Sequence, residues 1–288
     1  MALARLNPLR CDGTALPVPL VLMLKILLIV RLPVQFQPPF EPFLDWIGRV
    51  QVHHGLLPVA LLASAAILLN QKVRLASFAL GCLLTLELLS NRATYSNTKT
   101  FTALLFLMTG LYEERLGAWL VRLQVVVLYA GSGLHKLLEP DWQSGVFFHH
   151  WAGTVLGQPL YQWAAPMLPD LWLAKLTCWS VIALELSLAG VFLWRRAWPH
   201  GIWTSLLFHI AITVFSGQRF YFFYPIQAAM LAFVEWPEAD RRLIFRPVTY
   251  LLLAVVVGMP VLSDYPLYRA VVLLGPVVLF PLAKRVII

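Results

Sequence analysis

Apolar residues fill this chain in long blocks separated by short polar connections. Blocks of that length suit helices crossing about 30 Å of hydrocarbon at about 1.5 Å per residue. Hydropathy read in windows of about 19 residues predicts spans near 15–32, 52–69, 73–90, 99–112, 117–138, 171–194, 200–216, 219–234, 247–262 and 266–283. The expected fold is all-α: a polytopic integral membrane helical bundle of roughly eight to ten spans, forming one domain over 1–288 with no soluble domain. The fourth span is the weakest, because Thr98, Lys99, Thr100 and Thr102 interrupt its apolar run.

Basic residues orient the bundle. With the N-terminus in the cytoplasm, the inner side collects twelve of the 22 Lys and Arg, among them Arg195, Arg196, Arg241 and Arg242. The outer side collects six, and Lys25, Arg122, Lys136 and Lys175 fall within spans or at their ends. That asymmetry favours ten spans with both termini cytoplasmic, and it puts the His135–Lys136 helix end and the loop after it outside.

Composition agrees, with 60% hydrophobic and 12% charged residues and a mean hydropathy of +0.75. Many of the 11 Trp and 9 Tyr stand near span ends, where amphipathic rings settle at a membrane interface. The net charge of +8 is that of basic inner loops facing anionic lipid, and nucleic acid is not an expected partner. Cys11, Cys82 and Cys178 show no CxxC pair and no metal-type spacing, so they are expected to pack and no metal is expected. No cleavage site follows the first apolar run, and a cleaved signal peptide is not expected.

Topology then sets several polar groups in the outer half: His53 and His54, Glu87, His135 and Lys136, His209 and Tyr224, with Glu185 near the middle of the sixth span. A bilayer tolerates such groups where they pair or line a cavity. A shared cavity open to the outer leaflet is therefore expected, although sequence does not say which helices are neighbours. His53 and His54 suit an interface better than chemistry. Arg122 suits an inner anchor, and mid-span Lys25 demands a partner the sequence does not name.

One stretch is specific: Tyr129-Ala-Gly-Ser-Gly-Leu-His-Lys-Leu-Leu-Glu-Pro-Asp-Trp-Gln-Ser-Gly145 carries an apolar helix into Lys136 and breaks it at Pro140. It resembles the membrane domain of vitamin K-dependent gamma-glutamyl carboxylase and its bacterial relatives, the horizontally transferred transmembrane (HTTM) proteins. Leu206-Leu-Phe-His209 and the aromatic run to Pro225 resemble the same family. The resemblance implies Lys136 as the base that deprotonates a quinol (menaquinol or vitamin K-like), with His209 and His135 as further catalytic candidates. Glu87, Asp141, Trp142, Glu185 and Tyr224 are the candidates for holding the cofactor. Lysine suits the role, since an amine can lose its proton whereas a guanidinium does not. The loop 139–170 is expected to lie on the outer surface, with Asp141 capping a short helix or bonding back to the lysine-bearing end.

Two departures from the family are visible. Tyr95-Ser-Asn-Thr-Lys-Thr-Phe101 stands where the carboxylases carry a polar histidine-containing stretch, and Ile288 stands before their large lumenal domain would begin. Carboxylation of a glutamyl protein is accordingly not expected, even where quinol chemistry survives. Two readings stay open: an enzyme acting on a lipidic small molecule, and a non-catalytic membrane partner in export, maturation or assembly of another polypeptide.

Overall fold

The structure, a computed structural model, describes residues 16–35, 49–90, 96–112, 114–216 and 223–234. The expected spans at 247–262 and 266–283, together with Arg219 and the side chains of His53 and His54, lie outside the described residues. Among the described residues every regular element is helical. They are α1 (Val18–Gln35), α2 (Arg49–Leu68), α3 (Val73–Ser90), α4 (Asn97–Leu111), α5 (Glu114–Leu138), α6 (Pro140–Ser144), α7 (Val146–His149), a π turn (His150–Val155), α8 (Pro159–Ala164), α9 (Trp172–Leu193), α10 (Trp198–Ser216) and α11 (Tyr224–Ala229). Seven of the expected spans coincide with one helix each, and the eighth is α11 running into the 3-10 turn Met230–Phe233. Two of these helices are long and apolar enough to cross a membrane: α5 over Leu116–Leu138 and α9 over Trp172–Leu193.

The chain divides into two units, residues 1–122 with 221–288, and residues 123–220. In the first, α3 and α4 form an antiparallel pair brought close by small residues. A Cβ on Gly81 would stand 2.6 Å from the Leu107 backbone nitrogen, so that contact requires glycine. Ser77 Oγ donates to the Phe106 carbonyl at 2.8 Å, and the Arg74 guanidinium donates to the Leu111 carbonyl at 3.2 Å, satisfying an orphan acceptor at the end of α4. At the opposite end Lys99 Nζ lies 3.6 Å from Glu87 Oε1. The polar start of the weak fourth span thus supplies a counter-ion for a buried carboxylate. Ser96 caps that helix by accepting from the Lys99 backbone N–H at 3.2 Å. Helix α1 buries Leu20, Met23, Leu24 and Leu27 together with Lys25, and packs on α11 and the turn after it. Arg122 donates from Nε to the Ala232 carbonyl at 2.5 Å and lies 5.9 Å over the Phe233 ring. Its role seen here is structural pairing within the first unit.

In the second unit α5 and α9 run antiparallel. A Cβ on Gly133 would stand 2.8 Å from Leu186 Cδ2 and 3.3 Å from the Leu186 backbone nitrogen. Tyr129 stacks on Phe192 with centroids 6.0 Å apart. The last turn of α5 therefore stands opposite the middle of α9. The helix breaks there because proline lacks an N–H and disfavours a helical residue before it; Glu139 is extended at φ −87, ψ 118.

Beyond this break the chain does not leave the bundle as a loop. Gly145, at φ 84, meets α9 so closely that a Cβ would fall 2.6 Å from the Lys175 backbone nitrogen. Trp179 Nε1 donates to the Gln143 carbonyl at 3.2 Å. Residues 140–149 thus continue beside α9 as a broken prolongation of α5, in short helices that bury Phe148 and leave most other side chains exposed, the amphipathic character expected of this segment. The reason is apolar: Phe148, Ala152 and Tyr161 pack with Ala174 and Cys178 of α9 in one buried cluster, flanked by Trp142, Trp151 and Phe215. Burial pushes the Tyr161 phenol above its ordinary value.

Candidate functional site

Lys136 is in the final turn of α5, one turn beyond Ser132 and three residues beyond the Gly133 contact that lets α9 approach. Its Nζ donates to both carboxylate oxygens of Glu185, at 2.8 and 2.7 Å, and to Ser132 Oγ at 2.5 Å. Ser132 Oγ donates in turn to Glu185 Oε1 at 3.1 Å. The ammonium also lies 5.2 Å over the Trp142 ring, which itself stacks on Phe147 at 4.5 Å. The Lys136 and Glu185 side chains are only 17% and 9% exposed. Two charges withdrawn from water this far persist only when paired and hydrogen-bonded, and here each satisfies the other.

A second polar group lies closer to the start of α10. Tyr129 Oη and Ser205 Oγ share a hydrogen bond of 2.6 Å. His209 Nδ1 lies 2.8 Å from the Ser205 carbonyl. A carbonyl only accepts, so Nδ1 carries a proton, and in the neutral ring Nε2 keeps the lone pair. The Tyr129 and His209 rings are 6.3 Å apart, and both residues are buried.

The other sequence candidates are placed differently. His135 points away from Glu185, its Nδ1 3.9 Å from Glu139 Oε1 with side chains 75% and 49% exposed. Neighbours on a helix face directions about 100° apart, which separates it from Lys136. Asp141 is exposed and forms neither of its expected bonds: with Pro140 at the first helical position it falls inside the first turn of α6, and Glu139 takes the cap position without a side-chain bond. The link back to the lysine-bearing end comes from Gln143, whose Nε2 donates to the Leu137 carbonyl at 2.6 Å. Glu87 and Tyr224 belong to the first unit, Glu87 paired with Lys99 and Tyr224 opening α11 ahead of Pro225.

Sequence reasoning missed three participants: Ser132, Tyr129 and Ser205. Tyr129, Ser132 and Lys136 follow i, i+3, i+7 spacing on one helix face, a signal that was available. Ser205 gives no such signal, since only the packing of α10 brings it to Tyr129.

Residues 113–236 match the HTTM domain, a transmembrane domain family, in agreement with the resemblance to the carboxylase membrane domain. The match runs from the start of α5 past the turn after α11 and includes Lys136, Glu185 and His209. Searches of curated proteins and of solved structures return no match.

Proposed function

We propose that the HTTM-type stretch makes this a membrane enzyme in which Lys136 accepts a proton from a lipidic quinol. The observation that carries this reading is the Lys136–Glu185–Ser132 group, with a proton acceptor 2.7 Å from Nζ. Glu185 takes a proton from the ammonium, and the amine so formed is the base. Ser132, bonded to both partners, holds the amine in place as the charge is lost. Trp142 and Phe147 offer the flat apolar surface that an aromatic ring would lie against, so the residues present fit a quinol. When bound, the quinol would supply an acidic hydroxyl and reducing power toward oxygen, as in carboxylase or epoxidase-type chemistry. His209, with Nδ1 tied to the Ser205 carbonyl, is oriented to accept a hydrogen bond at Nε2. The proposed site opens to the outer leaflet of a multi-pass bundle in the cell membrane.

The test is Lys136→Arg, assayed for quinol consumption and normalised to folded protein. Arginine keeps the charge and the pairing but has no accessible neutral form, so consumption should be lost. Wild-type turnover in that variant would sink the enzymatic reading.

One observation favours a second reading. All three N–H donors of Lys136 are used within the chain, as in a clasp joining α5 to α9. In that case the protein is a non-catalytic membrane partner for export, maturation or assembly of another polypeptide. Arginine would then support the host phenotype, because it pairs with a carboxylate at least as well.

A further inference from the structure

We infer that a water-filled crevice reaches into the membrane as far as the break after α5, carrying water and small ions to the level of Lys136. The crevice is a consequence of the broken span and does not depend on quinol chemistry.

Two glycine contacts fix the register along α9. Gly133 lies against Leu186 and Gly145 against Lys175. The two levels are eleven residues apart on α9, about 16 Å at 1.5 Å per residue. Helix α9 itself sets the bilayer. It is an apolar helix of 22 residues, with Trp172 under the Lys175 ammonium near one end and Trp194, Arg195 and Arg196 just past the other. Those are the aromatic and cationic residues that mark the two interfaces of a span. The break at Glu139 and Pro140 lies between the two glycine levels, well inside the hydrocarbon.

Three ionisable side chains fan out at that depth. His135 and Glu139 are 75% and 49% exposed, and Asp141 is exposed beside them. Irregular backbone and ionisable groups at membrane depth face protein or water and not lipid. No described residue of the second unit covers them, which leaves water as what they face. The apolar side chains exposed nearby, Leu134 and Leu138, mark where lipid begins.

The test uses the full chain in proteoliposomes, with the native cysteines replaced and folding checked by size exclusion. His135→Cys, Glu139→Cys and Asp141→Cys are each treated with a membrane-impermeant anionic thiosulfonate. All three should react at rates matching Gln162→Cys, an exposed reference. A nitroxide on Leu134→Cys should meanwhile collide far more with oxygen than with a polar nickel chelate, the behaviour of a hydrocarbon site. Protection of the first three cysteines would show a sealed break and overturn the proposal. So would a Leu134 nitroxide reading at headgroup depth, since the break would then lie at the surface. Loss of turnover in Lys136→Arg decides the quinol reading separately and leaves these readouts unmoved.

Discussion

Lys136 and Glu185 each make the other tolerable in an apolar surrounding, so removing one strands its partner. Glu185→Leu should destabilise the protein by about 3–5 kcal/mol, the usual cost of an uncompensated buried charge. The double variant Lys136→Met with Glu185→Leu should recover most of that loss, because an apolar pair of similar volume is often neutral or better. Thermal unfolding in detergent, comparing single and double variants, checks both; a double variant no more stable than the single would deny the pairing its role. Tyr129→Phe removes one hydrogen bond to Ser205 and should cost much less, about 0.6 kcal/mol by the average for membrane proteins.

At the scale of elements the fold turns on close backbone approaches. Gly81→Ala should separate α3 from α4, because its Cβ would meet the Leu107 backbone, which cannot swing aside as a side chain could. Gly145→Ala is strained twice over, by its φ of 84 and by the Lys175 backbone. Each should lower the unfolding temperature. Gly131→Ala, with nothing within 4 Å of its Cβ, should leave stability unchanged or raise it by about 0.5–1 kcal/mol through helix propensity. Equal losses in all three would refute this role for close packing. The aromatic cluster under α7 and α8 adds a pH signature. The folded-state pKa of Tyr161 is raised, so its stabilisation is complete below the unfolded value near 10 and is lost as pH climbs beyond it. Wild type should lose more stability than Tyr161→Phe between roughly pH 9 and 11.

For the whole molecule, orientation is the property to test. The excess of basic residues predicted for one side gives the expectation that both termini are cytoplasmic and the segment around Gln158 is outside. Tags at either terminus should resist external protease, and a cysteine at Gln158 should label without permeabilisation. Labelling there only after permeabilisation would reverse the assignment.

The sequence by itself determined the helices and the lysine. Hydrophobic block length is a local property, so α1 to α5, α9 and α10 were legible to within a few residues, as was the break before Pro140. The resemblance singled out Lys136 and His209. It could not supply partners: Glu185 is 49 residues from Lys136 and Ser205 is 76 from Tyr129, pairings that exist only because Gly133 and the packing of α10 bring separate helices together. Lys99 read as a polar flaw in a weak span, and packing made it the counter-ion of Glu87. The segment after Pro140 read as a surface stretch with a short amphipathic helix, because proline, glycine and polar residues alternate there with aromatic ones. Only tertiary structure showed what its apolar side meets: Phe148 and Tyr161 pack with Ala174 and Cys178 of α9, with Trp142 beside them.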